Sequence, residues 1–197
     1  MTAAILAGGR SSRMGKDKAF LELGDRYVIE HVLSRLRSVF REVFIVTRQP
    51  DDHLRFNAAI IEDKSPKQCA ISGIYTAVKN CGKKVFITGC DMPFLNGDVI
   101  RDMCAVREDF DAIVPKNGKT GWEPLHAIYS ISCLPHIEAQ LEKDDLSLRA
   151  LLERMKTRAY DQKNALKFEY GMMSFFNINT PEDLEKARGI AISRKVF

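Results

Sequence analysis

The hydrophobic pattern of the 197-residue chain switches repeatedly between short apolar runs and longer stretches with apolar residues at helical spacing. A short apolar run is typical of a buried strand, and apolar residues three and four positions apart indicate one buried face of a helix. Strands are predicted at 3–7, 42–47, 58–61, 84–90, 111–115, 125–130 and 175–179. Helices are predicted at 26–40, 71–81, 97–106, within 132–143, at 147–156, and after Thr180, the predicted N-cap ahead of Pro181.

Strands that alternate with helices predict an α/β fold: a three-layer sandwich with a mostly parallel, twisted sheet and helices on both faces. A chain of this length can build one core, so we expect a single domain over residues 1–197. Ligands of such sheets bind beyond the carboxyl ends of the strands. The loops expected to matter therefore begin at Gly8, Thr47, Glu62, Asp91 and Pro115.

Composition narrows the class of protein without indicating a ligand. Hydrophobic residues make up 45% and charged residues 28% of the chain, an ordinary globular balance, and the formal net charge is +4. The cations are scattered along predicted helices and not clustered with aromatic residues, so we expect no nucleic-acid partner. No apolar run is long enough to cross a bilayer, and the five cysteines include no C-x-x-C pair. We therefore expect no membrane partner and no zinc site, and we predict a cytoplasmic protein.

A glycine-rich segment follows the first predicted strand, where Gly8 and Gly9 end the apolar run. Four cations come next: Arg10, Arg13, Lys16 and Lys18. The spacing of Gly9 and Gly15 and the Asp17 after Lys16 do not fit a Walker A loop, and adjacent glycines do not fit the dinucleotide fingerprint. Exposed glycine N–H groups and several cations suit a triphosphate. On the residues alone, a tight glycine turn with surface cations is an equal alternative.

The segment LAGGRSSRMGKDKA at 6–19 resembles the signature loop of the molybdenum cofactor guanylyltransferases, the MobA-like nucleotidyltransferases. The resemblance extends to IIED at 60–63, CDMP at 90–93, EPLHAIYS at 123–130 and FFNINTPEDL at 175–184. It implies a Rossmann-like nucleotidyltransferase fold. Within it, residues 1–115 would mainly bind the nucleotide and residues 116–197 would mainly bind the pterin acceptor.

For the nucleotide, the resemblance implies that the backbone of Leu6, Ala7 and Gly8 contacts guanine and ribose, and that Gly9 wraps the phosphates. Thr47 stands where the family often has asparagine, and it would be a shorter contact to the ribose or base. Asp63 matches an aspartate of the nucleotide site. A carboxylate can accept hydrogen bonds from the adjacent N1–H and N2–H₂ of guanine, so we expect Asp63 to select that base.

For the chemistry, the resemblance implies that Lys18 is the catalytic lysine and that Arg13 binds phosphate. Asp91 matches the metal-binding aspartate in its D-x-P context, with Mg²⁺ as the cofactor and Mn²⁺ as a substitute. A single carboxylate suits Mg²⁺, which is bound through one or two acids together with substrate phosphates. Asn177 and Asn179 match an N-x-N of the pterin-binding half. They are expected to share one face of a strand, with capping of the next helix as the alternative for Asn179.

The predicted reaction is transfer of GMP from Mg-GTP to molybdopterin or Mo-molybdopterin, with release of pyrophosphate. Other cofactor-biosynthesis proteins and recipient apoenzymes would be protein partners. The Cys69–Gly73 segment departs from the Gly-Pro-Leu-x-Gly common in the family. A cytidylyltransferase, another small-acceptor or sugar-phosphate nucleotidyltransferase, and a non-catalytic carrier of the pterin cofactor are the alternatives.

Overall fold

Strands and helices alternate along the chain around one mixed sheet. The computed structural model describes residues 1–8, 18–118 and 121–194. The strands are β1 (Thr2–Leu6), β2 (Glu22–Leu23), β3 (Arg26–Tyr27), β4 (Val43–Thr47), β5 (Ala59–Glu62), β6 (Lys84–Gly89), β7 (Ala112–Asn117), β8 (Gly121–Trp122), β9 (His126–Ser130) and β10 (Thr157–Asp161). The helices are α1 (Val28–Arg37), α2 (Pro50–His53), α3 (Ala70–Cys81), α4 (Gly97–Cys104), α5 (Leu134–Glu142), α6 (Leu148–Arg154) and α7 (Pro181–Arg194). Short 3₁₀ helices include Lys18–Phe20, Gln162–Lys167 and Gly171–Phe175.

The main sheet has the strand order β10-β7-β9-β6-β1-β4-β5, with β8 paired to β7. β9 runs antiparallel to β6 and β7, β8 runs antiparallel to β7, and the other pairs are parallel. β1 is central, so Leu6 lies level with Val46 on one side and with Gly89 on the other. The carboxyl ends of β1, β4, β5 and β6 therefore lie along one edge. Because β9 is reversed, its first residue, His126, lies at that edge too.

Alternating side chains place a core on each face of the sheet. Ala3 and Ile5 pack with α1 and α4, whereas Ala4 packs with α3, α5 and α6 on the opposite face. Successive side chains of a strand point to opposite faces of the sheet, and helices cover both faces. Ala3, Ala4 and Ile5 are therefore all fully buried. The predicted α/β sandwich with a mostly parallel sheet is confirmed. Within the described ranges, no helix is long and apolar enough to cross a membrane.

The strand predicted at 175–179 is wrong. Gly171–Phe175 forms a 3₁₀ helix, and residues 176–179 join no sheet. The alternation of polar and apolar residues that suggested a strand has another cause. Ile178 stands between two asparagines in the sequence and is fully buried in a cluster with residues of α7. Its N–H donates to Asp91 O at 2.9 Å, so this backbone is tied to the loop after β6 instead of to a strand.

Candidate active site

Lys18, Asp91 and Asn179 meet at the carboxyl edge of the sheet. Lys18 Nζ donates to Asp91 Oδ2 at 2.8 Å and to Asn179 Oδ1 at 2.7 Å. Lys18 lies in the 3₁₀ turn Lys18–Phe20, Asp91 two residues beyond β6, and Asn179 just before α7. The lysine and aspartate side chains are 20% and 19% exposed. The fold thus gathers a cation, a carboxylate and an amide from three distant segments at an accessible point.

Backbone hydrogen bonds fix the loop that carries Asp91. The N–H of Cys90 donates to Leu6 O at 3.3 Å, which ties the loop to the end of β1, and Asp91 O accepts from Ile178. Gly89 leaves space beside the carboxylate: a methyl group at that position would lie 2.5 Å from Asp91 Oδ1. The direction in which Asp91 points therefore depends on having glycine at position 89.

Substituting Gly89 by alanine should separate stability from activity. The new methyl group displaces only the end of the Asp91 side chain, so the free energy of unfolding should change by no more than about 1 kcal/mol. The displaced carboxylate should lower turnover by about 10- to 100-fold, because a misplacement near 1 Å is enough for losses of that size.

Gly189→Ala is the matched control. Apart from its chain neighbours and the backbone of its own helix, no described atom lies within 4 Å of a methyl group at that position in α7, so turnover should stay at the wild-type level. Chemical denaturation and an assay of the nucleotidyl transfer expected from the sequence measure the two quantities. Wild-type turnover in Gly89→Ala would show that the orientation of Asp91 is unimportant.

The capping arrangement of α7 leaves the Asn179 side chain available. Thr180 Oγ1 accepts from the N–H of Asp183 at 3.2 Å, and the Asp183 carboxylate accepts from the N–H of Asn179 and of Thr180, each at 3.1 Å. These bonds to the backbone of Asn179 and Thr180 hold the pKa of Asp183 below its usual value. Thr180 is confirmed as the N-cap. Asn179 is fixed through its backbone, and its side chain contacts Lys18.

Asp63 is a buried carboxylate directly after β5, with only 7% of the residue exposed. Its Oδ1 accepts from Ser65 N–H at 3.1 Å and from Thr76 Oγ1 at 2.9 Å, and its Oδ2 accepts from Ser72 Oγ at 2.9 Å. The side chain therefore connects the loop after β5 to the first turns of α3. One lone pair of Oδ2 is left for a further donor.

The other residues that the sequence analysis predicted for the nucleotide lie at the ends of β1 and β4. Ala7 is buried and donates through its N–H to Val46 O at 2.9 Å, while Gly8 is exposed. Leu6 packs closely on α3, where a methyl group on Gly73 would lie 3.1 Å from Leu6 Cδ1. Thr47 is buried, and its Oγ1 accepts from Gln49 N–H at 3.2 Å. The predicted Gly9 and Arg13 lie outside the described residues.

A further acid, which the sequence reasoning did not single out, lies on the other side of β6 from β1, β4 and β5. Glu123 follows β8, and burial raises the pKa of its carboxyl group, while the neighbouring amides of Asn177 and Gln162 lower it. The only available signal was the EPLHAIYS segment, which carried the resemblance without a role for its first residue. His126, at the start of β9, is fully buried, and that burial lowers its pKa to about 4. Its Nε2 lies 2.7 Å from Ser174 Oγ, so it is a neutral packing residue.

The carboxylate of Asp91 is the donor that fits a divalent metal. Within the residues that the structure describes, no three or more His, Cys, Asp or Glu side chains are grouped so that they could hold an ion. Mg²⁺ does not require such a cage, since it retains waters and takes its other ligands from substrate phosphates. A partly exposed carboxylate beside a lysine at the edge of the sheet suits that kind of binding.

A family model describing the MobA-like NTP transferase domain matches residues 3–160, which makes the chain a nucleotidyltransferase. The chain belongs to the MobA-like NTP transferase family. It is 37% identical to the molybdenum cofactor guanylyltransferase of Desulfosudis oleivorans, over 95% of this chain and 94% of that protein.

Solved structures agree with this placement. The molybdopterin-guanine dinucleotide biosynthesis protein A of Archaeoglobus fulgidus superimposes with a TM-score of 0.88 at 30% identity, covering 98% of this chain and all of that one (100%). The 4-diphosphocytidyl-2C-methyl-D-erythritol synthase of Anaerococcus prevotii gives a TM-score of 0.72 at 16% identity, covering 98% of this chain and 96% of that one. The second likeness concerns the fold alone.

Proposed function

We propose that this protein transfers GMP from Mg-GTP to the terminal phosphate of molybdopterin or Mo-molybdopterin and releases pyrophosphate. The observation that carries the proposal is the convergence of Lys18, Asp91 and Asn179 at the carboxyl edge of the sheet. Each of the three residues matches a family position. The printed names of the relatives support guanine as the base and molybdopterin as the acceptor.

The reaction needs positioned charge more than it needs a general base. An oxygen of the acceptor phosphate attacks the α-phosphorus of GTP, and the bond from that phosphorus to the β-phosphate oxygen breaks. The attacking oxygen is already anionic near neutral pH. Lys18 donates hydrogen bonds to the phosphate oxygens on which negative charge increases, and Asn179 orients the lysine. Arg13 and Gly9 are proposed, on the resemblance, to hold the triphosphate.

Asp91 would hold the Mg²⁺, for which Mn²⁺ is a proposed substitute. The ion, when bound, neutralises negative charge on the triphosphate. Lys18 Nζ contacts Oδ2 of Asp91 in this structure, so the lysine and the metal would compete for that carboxylate oxygen.

In the strand order, Asp91 lies between two groups of loops. We propose that one group binds the nucleotide and the other binds the pterin. Leu6 ends β1 and is followed by Ala7 and Gly8. Thr47 ends β4, and Asp63 follows β5. These residues form the proposed nucleotide side. Asn177 and Asn179 belong to the proposed pterin side. The contact of Lys18 with Asn179 joins the two halves, residues 1–115 and 116–197, at the point where the phosphates would meet.

Pyrophosphate release with each of the four nucleoside triphosphates, with and without molybdopterin, tests the proposal. We expect release with GTP and molybdopterin together. Release with CTP in place of GTP would indicate a cytidylyltransferase, and release with GTP and a sugar phosphate in place of molybdopterin would indicate another acceptor. No release with any combination would favour a carrier of the pterin cofactor.

Asp63→Asn should weaken the preference for guanine. An amide nitrogen in place of Oδ2 directs an N–H toward the guanine donor that the free lone pair of Oδ2 would accept, so the ratio of kcat/KM for GTP over ATP should fall by about 10-fold or more. The free energy of unfolding should also fall, by about 1–3 kcal/mol, because Ser72 and Thr76 donate to the same carboxylate.

Ser72→Ala and Thr76→Val separate these two effects. They remove the internal donors and keep the carboxylate, so they should lower stability and leave the GTP-to-ATP ratio unchanged. If Asp63→Asn leaves that ratio at the wild-type value, Asp63 does not read the base.

A further inference from the structure

The loop after β5, residues 63–69, is shaped by short-range hydrogen bonds. Ser65 N–H donates to Asp63 Oδ1 at 3.1 Å, and Lys67 N–H donates to Ser65 Oγ at 3.2 Å. Each of these bonds joins residues two positions apart, so they form turns but do not attach the middle of the loop to the rest of the fold. Within the described ranges, two cations attach residues 64–68 to elements other than β5, and these are Arg48 and Lys67.

Arg48 reaches this loop from the end of the neighbouring strand. It directly follows β4, and its Nη1 donates to Ser65 O at 2.5 Å. Its backbone and stem pass beside Gly8, where a methyl group would lie 3.7 Å from Arg48 N and 4.0 Å from Arg48 Cγ. Among the ion pairs of the described residues none involves Arg48. The half-buried side chain therefore joins the segments that follow β1, β4 and β5 through a backbone carbonyl, not through an acid.

Lys67 attaches the same loop to the helical layer. Its Nζ donates to Leu141 O in the last turn of α5 and lies 2.8 Å from Asp144 Oδ1. Leu141 O also accepts from Asp144 N–H, so the lysine adds to the capping of the helix end. A cation is favourable there because the C-terminal end of a helix is partly negative. The lysine side chain is only 29% exposed, whereas that of Asp144 is 78% exposed.

The bond made by Arg48 lies close to the carboxylate that is proposed to read the base. Ser65 accepts from Arg48 through its C=O and donates to Asp63 Oδ1 through its N–H. One residue thus connects the guanidinium to the carboxylate. A loop that a ligand must first order binds that ligand more weakly, whereas a loop already held in one conformation avoids this cost.

We propose that Arg48 and Lys67 are positioning residues that hold the 63–69 loop in its guanine-binding conformation before the nucleotide binds. The inference rests on the proposed function and deepens it, because it assigns part of the base selection to bonds made within the protein. The two cations act through Ser65 O and Leu141 O, and the nucleotide is read by Asp63.

Arg48→Met and Lys67→Met test the proposal by removing the donors and keeping an unbranched side chain. Each should raise the KM for GTP by about 5- to 20-fold, because a smaller fraction of the protein has the loop in place. At saturating GTP, kcat should stay within about twofold of wild type, since bound nucleotide restores that conformation. The KM for ATP should change less, because adenine lacks the donors that Asp63 accepts. Lys67→Arg, which keeps a cation at the carbonyl, should restore the KM for GTP to within about threefold of wild type.

Lys64→Met and Arg149→Met are the matched controls. Lys64 belongs to the same loop but is 79% exposed and pairs only with Glu62 among the described ion pairs, and Arg149 is 68% exposed on α6. Both should keep the wild-type KM for GTP. A wild-type KM for GTP in both Arg48→Met and Lys67→Met would overturn the proposal. A fall in kcat without a change in KM would overturn it too, because the residues would then act in the chemical step.

Hydrogen exchange separates failure of this inference from failure of the proposed transfer, because it needs no turnover. In the nucleotide-free protein, the amides of residues 63–69 should exchange about 5-fold faster or more in Arg48→Met and Lys67→Met than in wild type. GTP should slow that exchange in all three proteins. Equal exchange rates in the nucleotide-free proteins would overturn the inference. If the loop is loosened and GTP binds more weakly, but wild type releases no pyrophosphate from GTP and molybdopterin, the transfer is wrong and the positioning role stands.

Discussion

Replacing Asp91 by asparagine is expected to lower kcat for pyrophosphate release by about 10³-fold while the protein stays folded. The amide has the same size but carries no charge, and Mg²⁺ strongly prefers a carboxylate when one protein ligand must hold it. Lys18 loses its ion pair in the same variant. That loss should reduce stability by no more than about 1 kcal/mol, because both side chains are partly exposed to water.

The matched control is Asp109→Asn, a change of the same kind at a side chain that is 99% exposed. It should retain wild-type turnover. Single-turnover assays over a range of Mn²⁺ concentrations, together with chemical denaturation, separate a weakened metal site from an unfolded protein. If Asp91→Asn turns over within threefold of wild type, the proposed metal role has to be abandoned.

The sheet could be predicted because the information for it is local. Ala3, Ala4 and Ile5 form an apolar run that only a strand covered on both faces can bury, and both faces are covered. β10 was not predicted, because three of its five residues are exposed and an edge strand carries little apolar pattern. An edge strand forms because it pairs with a neighbouring strand. The residues of that neighbour lie elsewhere in the sequence, so the local pattern does not show the pairing.

The N-x-N segment shows how a correct pattern can predict the wrong element. Ile178 is buried and flanked by more exposed amides, which is the alternation of a half-buried strand. Alternation of apolar and polar residues indicates only that one side of the segment is buried. Any extended segment with one buried apolar residue shows the same pattern. Among the described residues this segment pairs with no strand, and the N–H of Ile178 donates to Asp91 O.

Individual residues of the candidate site could be proposed from the sequence, but the contacts between their side chains could not. Lys18 and Asp91 were matched through motifs, whereas the contact of Lys18 with Asn179 joins positions 161 residues apart in the chain. No local pattern encodes such a pair.

Lys18→Met should lower turnover and strengthen metal binding, two effects of opposite sign. Without the lysine, the charge that develops on the phosphates loses one positioned cation, so kcat should fall by about 10²- to 10³-fold. The same change frees Asp91 Oδ2, which Lys18 contacts at 2.8 Å. Since a partly exposed ion pair is worth up to about 1 kcal/mol, Mn²⁺ should bind the nucleotide-free variant up to about fivefold more tightly.

Lys64→Met is the control for the loss of one cation, because Lys64 is 79% exposed and contacts only Glu62 among the ion pairs of the described residues. It should change neither quantity. Asn179→Ala should lower turnover less than Lys18→Met does, since the lysine retains its charge and loses one of its two acceptors. Titration of Mn²⁺ by electron paramagnetic resonance and a pyrophosphate-release assay measure the two effects. Lys18→Met protein with turnover within threefold of wild type would show that the lysine is not catalytic, and weaker Mn²⁺ binding would show that it does not compete for Asp91.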